Sequence, residues 1–231
     1  NKKKKKKNKK NTLAYISQFR PIAISKKKKI IFPYSEFKKK FDLEKLNKRN
    51  FKNISILEFY KNDEEVLDLI LKYLKNKDIS LDIIGVMKKD QFKEKEYFEN
   101  ICKNYKFKFI PNNYNDLSYK LLDNYNNIIG VDSTMLYEAL ARGRKVGFFS
   151  VRETSFIGHR VFFGYPYNNK PSGICWTNRK NYNEVKRILD YLLNSSLKNY
   201  KTDMKDYIFN LSYYDNNNLK FSRELKKIIS Q

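Results

Sequence analysis

Residues 127–151 read N-I-I-G-V-D-S-T-M-L-Y-E-A-L-A-R-G-R-K-V-G-F-F-S-V, from Asn127 to Val151. The run from Ile128 to Val131 is short and apolar, as in a buried strand. Asp132, Ser133 and Thr134 break it with small polar side chains of the kind that favour turns and helix N-caps. Met135, Leu136, Ala139 and Leu140 then recur at helical spacing, and Gly143, following Arg142, supplies a stop signal. From Lys145 to Val151 the chain is apolar again. The pattern is strand, turn, helix, strand. A strand that feeds a polar turn onto a helix N-terminus offers free backbone N–H groups and a positive dipole end, which suits a phosphate.

Outward from this stretch the alternation continues. The pattern predicts strands over Ile54 to Phe59, Ile79 to Val86, Phe107 to Ile110 (ended by Pro111) and Val146 to Ser150. Between them it predicts helices over Asn62 to Lys75, Asp90 to Tyr105 and Asn115 to Tyr125. The first of these opens on N-D-E-E and carries Val66, Leu67, Ile70, Leu71 and Leu74 on one face. Strands alternating with helices of this length indicate an α/β fold, a Rossmann-like parallel sheet flanked by helices, with ligands taken at its carboxyl edge. Val151 to Trp176 reads as a long aromatic loop of functional type, with a last short strand from Ile174 to Thr177. Asn183 to Asn194, Lys201 to Leu211 and Leu219 to Ile229 read as closing helices. Before Asn53 the reading is thinner. Residues 1–12, N-K-K-K-K-K-K-N-K-K-N-T, are a Lys-rich segment expected to be disordered. Residues 13–52, with a strand expected somewhere from Leu13 to Ile24, read as the remnant of an N-terminal domain or a linker, and 53–231 as the Rossmann-like domain with its closing helices.

The 231 residues are 41% hydrophobic, enough for a sizeable core. No apolar run approaches the roughly 18–20 residues that cross a bilayer, and no secretory leader pattern is visible. Two cysteines, Cys102 and Cys175, far apart, suggest neither a disulfide framework nor a CxxC metal site, and a reducing cytoplasm is the simplest compartment. Formal net charge is +24. That balance suits nucleic acid or an anionic membrane face, but the abundance of Lys, Asn, Ile, Tyr and Phe is what AT-rich codons encode, and no nucleic-acid motif accompanies it. A P-loop and a GxGxxG run are both lacking, and no His/Cys/acid cluster has metal-ligand spacing.

The pattern formed by Asp132, Ser133, Thr134, Glu138, Ala139, Ala141, Gly143 and Val146 resembles the nucleotide-sugar half of GT-B glycosyltransferases. The run from Asp132 to Arg152, followed by F-G-Y-P at 163–166 and G-I-C-W-T-N at 173–178, is similar to a bacterial family of surface carbohydrate biosynthesis proteins. The resemblance covers roughly Ile54 to Asn178. Tyr165 stands where that family has Trp, and Ile174-Cys175 where it has Pro-Phe. The resemblance implies transfer of a hexosyl or ulosonic-acid unit from a nucleotide-sugar donor onto a glycan or lipid-linked acceptor. No cofactor and no metal are expected.

Ser133 and Thr134 are candidates for the donor phosphate, with helix capping as the alternative role. Glu138 is a candidate for ribose contact, with favourable helix-dipole placement as the alternative. Asp132 either touches substrate or starts the turn. Arg152 and Arg160 suit phosphate by their forked geometry. His159, the one histidine of the chain, is the available imidazole acid or base. Tyr165, Trp176 and Asn178 could meet base or sugar, with core packing favoured for Trp176. The resemblance also implies that the acceptor-binding N-terminal domain is supplied elsewhere, by another chain. Alternatives are a nucleotide-sugar 2-epimerase-like enzyme and a basic nucleic-acid-binding protein without sequence specificity. Peripheral contact with the inner face of the membrane through the basic surface is compatible with the charge.

Overall fold

Leu13, Ala14, Tyr15 and Ile16 are all buried, although they alternate between the two sides of a strand. Burial on both sides is the mark of a central parallel strand covered by helices. The computed structural model describes residues 9–19, 22–23, 29–30, 54–88, 93–112, 117–151, 163–164, 167–168, 170–211, 215 and 219–230. In chain order these form β1 (Lys9–Ile16), β2 (Ile22–Ala23), β3 (Lys29–Ile30), α1 (Ile54–Leu74), β4 (Ser80–Lys88), α2 (Glu94–Ile101), β5 (Phe107–Asn112), α3 (Leu117–Leu122) and β6 (Tyr125–Gly130). They continue with α4 (Thr134–Ala141), β7 (Lys145–Phe149), β8 (Ser172–Gly173), β9 (Trp176–Thr177), α5 (Tyr182–Asn194), α6 (Leu197–Asp203), α7 (Lys205–Leu211) and α8 (Leu219–Ile229).

The main sheet has the order β5-β4-β1-β6-β7-β9-β8, and only the β8–β9 pair is antiparallel. Counted along the chain, its six parallel strands lie 3-2-1-4-5-6 across the sheet. That is the Rossmann order, in which the chain winds one way from the first strand and the other way from the fourth. The α/β expectation therefore holds, with a mostly parallel sheet flanked by helices. Helix α1 packs on α5, and α4 on α3 and α7.

Four local expectations change. Ile54 to Phe59 is the opening of α1, a helix of 21 residues, and not a strand. Its apolar and β-branched residues suit either state, and the first strand of the sheet is already supplied by β1. The N-D-E-E at 62–65 consequently falls inside the helix. Asn62, Asp63 and Glu64 are buried there; Asn62 accepts from Lys180 Nζ (2.6 Å) and Glu64 from the Tyr97 hydroxyl (2.9 Å). Buried polar groups persist when they are hydrogen-bonded, and cap-forming residue types do not distinguish that case. Third, β1 starts at Lys9, so the last four residues of the segment expected to be disordered belong to the sheet, with Thr12 paired to Ser80. The strand expected near Leu13 is thus the middle of the sheet, ahead of the boundary drawn at residue 53. Pro111 does not end β5 but lies within it. A proline is tolerated there because β5 is an edge strand.

Side chains join the layers. The Tyr125 hydroxyl, on β6, donates to Asp82 Oδ2 on β4 at 2.6 Å, across the intervening β1. Lys145, buried at the start of β7, donates to the carbonyls of Leu192 and of Ser195 (2.8 Å), satisfying the C-terminal end of α5. Burial pulls its ammonium below the usual lysine value. Tyr200 is fully buried; its hydroxyl accepts from Val146 N and donates to Val146 O, both at 2.9 Å.

Candidate functional site

The strand order reverses between β1 and β6, and in such sheets the crevice outside the carboxyl ends at that reversal is where ligands bind. Its two rims are Ser17–Phe19 after β1 and Val131–Thr134 after β6, since Ile16 and Gly130 are register partners. A side chain at Gly130 would bring a Cβ to 3.2 Å from the Ile16 carbonyl oxygen and 3.4 Å from Leu136 Cδ1. Glycine here lets the start of α4 close down on the sheet edge.

Asp132 takes the left-handed conformation, with φ of 50°. Aspartate tolerates this region better than most residues, so Asp132 has a definite task in reversing the chain between β6 and α4. Ser133 follows in extended conformation as the N-cap of α4 and is buried, yet its side chain makes no capping hydrogen bond. Ser133 is thus the N-cap residue by position, as the alternative reading had it, without a capping hydrogen bond from its side chain. Thr134, the first helical residue, is exposed, and Glu138 lies one turn on, half-buried, on the same helical face. The structure thus brings Asp132, Ser133, Thr134 and Glu138 together at the reversal point. Arg152, His159, Arg160 and Tyr165 lie outside the described residues.

Trp176 is buried in an aromatic cluster, stacked on Phe163 (centroids 4.8 Å apart) and edge-on to Tyr207 (4.8 Å). Core packing is its role, as favoured from the sequence. The same cluster exposes a residue that the sequence did not single out. Tyr137 on α4 stacks parallel to Phe163, and its hydroxyl accepts from Gly164 N at 3.0 Å. Burial raises the phenol's pKa, the hydrogen bond from Gly164 opposes that, and the charge of nearby Asp132 adds to the rise. Tyr137 therefore fastens the return of the long loop beside the candidate site.

Across the crevice, Glu94 at the start of α2 was also passed over. Its carboxylate is buried and accepts from Ser17 Oγ (2.5 Å), Val86 N (3.0 Å) and Met87 N (2.9 Å). Ser17 Oγ accepts in turn from Phe19 N at 3.0 Å. Burial raises the Glu94 pKa above the ordinary carboxylate value, against the lowering effect of these three hydrogen bonds. The group locks the carboxyl ends of β1 and β4 to α2. Gly85 makes room for it, since a Cβ there would lie 2.9 Å from Glu94 Oε2. In the sequence Glu94 is one acid among many charges, and only the fold reveals its burial. Behind α4, Asp123 pairs with Arg142 and with Arg144 (3.2 Å). Burial alone would raise its pKa, but the hydrogen bonds and charges of the two guanidinium groups override that and hold it low.

A family model described as "putative O-antigen biosynthesis protein" matches residues 1–229. The chain belongs to this family. Membership spans β1 and the closing helices as well as the central strand–turn–helix, and it agrees with the expected role in surface carbohydrate biosynthesis. Among curated proteins and solved structures, none matches this O-antigen biosynthesis family member. Among the described residues no helix is long and apolar enough to cross a membrane.

Proposed function

We propose that this O-antigen biosynthesis protein binds a nucleotide-activated sugar in the crevice between β1 and β6 and acts as a glycosyltransferase-like component of O-antigen assembly. The observation that carries the reading is the 3-2-1-4-5-6 strand order, whose reversal coincides with the Asp132–Ser133–Thr134 turn. The same order supports equivalence with the nucleotide-binding half of a GT-B enzyme. In this reading the first backbone N–H groups of α4 and the Ser133 and Thr134 hydroxyls hold the donor phosphates. They stabilise the leaving nucleotide as negative charge develops on it. Glu138, one turn further, accepts from the ribose hydroxyls. Arg152 and Arg160 add phosphate contacts, and His159 or Asp132 handles the acceptor proton. The acceptor is a glycan or lipid-linked saccharide at the inner face of the membrane, presented by a further domain or chain.

Calorimetric titration of CMP, UDP and GDP tests the reading. One nucleotide should bind, and Ser133→Ala with Thr134→Ala should weaken it by about 1–3 kcal/mol through loss of hydrogen bonds to a charged group. Glu138→Ala should reduce discrimination between ribose and 2′-deoxyribose forms. Unchanged affinity in both variants, with the fold intact, would move the site elsewhere. Product analysis with a nucleotide sugar and no acceptor separates a transferase from an epimerase, since only the latter converts the donor alone.

A further inference from the structure

No residue of helix α8 is buried, and none of its apolar residues is among those packed against the core. Phe221, Leu225, Ile228 and Ile229 are 64%, 43%, 69% and 75% exposed. At the angular step of a helix these four fall within one arc of about 100°. The remainder of the circumference carries Lys220, Arg223, Lys226 and Lys227 together with Leu219, Ser222 and one acid, Glu224, which is paired to Lys227 at 3.0 Å. The helix has a built start, because the Asp215 carboxylate accepts from Lys220 N and Phe221 N, both at 3.0 Å. Eleven residues, none of them buried, are below the length of roughly 12–15 at which isolated helices become stable in water. The apolar stripe is thus open to an external surface.

We propose that α8 is an interfacial helix that docks this protein on an anionic lipid surface. Its stripe enters the acyl boundary while Lys220, Arg223, Lys226 and Lys227 reach the headgroup phosphates. Charge selects this occupant. A second copy would bring another chain of net charge +24, and a second set of four cations, against the first. An anionic bilayer meets the same cations with opposite sign, and long lysine stems let the apolar stripe sink while the ammonium groups stay at the phosphate level. The inference does not depend on the nucleotide site, which lies at the carboxyl edge of the sheet.

Flotation of the full chain with phosphatidylcholine vesicles, and with vesicles also containing phosphatidylglycerol, tests it. The chain should float with the anionic vesicles only. Leu225→Asp with Ile228→Asp should lower partitioning at least about tenfold, since buried apolar area supplies much of interfacial binding. The thermal midpoint and the nucleotide titration should stay unchanged. Lys220→Gln with Lys226→Gln should weaken the dependence on phosphatidylglycerol, and Phe221→Trp should shift its emission to the blue on adding anionic vesicles. The proposal is overturned if the wild type ignores anionic vesicles, or if the Asp variant floats as well as the wild type, leaving charge alone responsible. It also fails if the Asp variant loses thermal stability, which would show the stripe packed within the protein. A concentration-dependent dimer that the Asp variant abolishes would overturn it in favour of self-association.

Discussion

Replacing Gly85 by alanine should be costly out of proportion to one methyl group. An ideal Cβ at this position lies 2.7 Å from Phe109 Cζ, 2.9 Å from Glu94 Oε2 and 3.3 Å from Glu94 Cδ. Two of these are closer than atoms approach, so both the ring and the carboxylate must give way. The Phe109 ring sits on the edge strand β5 and is half-buried, while the Glu94 carboxylate is held by Ser17, Val86 and Met87. Overpacking of this kind costs about 1–3 kcal/mol, and each hydrogen bond to a charged group that is lost adds about 1.5–3 kcal/mol. Displacement of the ring with partial loss at the carboxylate gives about 2–4 kcal/mol. At about 2–4 °C per kcal/mol for a chain of this size, the thermal midpoint should fall by about 4–16 °C. Urea unfolding of Gly85→Ala, Glu94→Ala and the double variant gives the decisive comparison. The two costs should be sub-additive, because removing the carboxylate relieves one of the two close contacts and leaves only that with Phe109. Linkage adds a second signature. A folded-state pKa raised above the ordinary 4.5 favours the protonated form, so stability on this account is full below about 4.5 and declines as pH rises through the raised value. That decline should vanish in Glu94→Gln. Additive costs in the cycle, or a Gly85→Ala variant within about 0.5 kcal/mol of wild type, would refute the lock.

Three further outcomes are expected. Deleting residues 1–8 should leave the melting temperature within about 1 °C, whereas deleting 1–12 removes Lys9 to Thr12 from the central strand and should lower it by at least about 4 °C. Asp123→Asn should cost about 1 kcal/mol at neutral pH after allowance for its partial exposure. Because the wild-type carboxyl has a lowered pKa, its contribution is present above 3.8 and lost as pH falls through the folded value, so acid titration of the variant should lack that part of the loss. Tyr137→Phe should cost about 0.5–1.5 kcal/mol and speed amide exchange at Gly164, whose N–H donates to that hydroxyl; unchanged exchange there would mean that the loop return is held by ring packing alone.

The strand–turn–helix at 127–151 was legible because a buried strand, a polar turn and an amphipathic helix each leave a local pattern. Observed bounds differ from the expected ones by a few residues, with β6 at Tyr125–Gly130 and α4 at Thr134–Ala141. The apolar stripes of α1 and α5 were legible for the same reason, and Val66, Leu67, Ile70, Val185, Ile188, Leu189 and Leu192 are all in the core. Strand β1 was read only loosely, because its first half is Lys, Lys, Asn and Thr, and strand pairing is a non-local property. That single omission hid the strand order, and with it the reversal point that lies beside Ser133. Glu94 and Lys145 were illegible because charged side chains normally mark solvent, and their burial depends on partners 77 and 47 residues away. Trp176 and the helix at 219–229 followed local rules, and so came out as read.

The outer strand β5 carries Pro111, an exposed Lys108 and a break in pairing register between Ile84 and Lys88, while at the far margin β8 is two residues long. Neither margin offers the long, flat row of unpaired N–H and C=O groups that a stray chain needs to add itself to a sheet. A protein with so hydrophobic a sheet interior is thereby guarded against stacking into fibrils, and polymerisation through its strands is closed off by backbone chemistry as well as by charge.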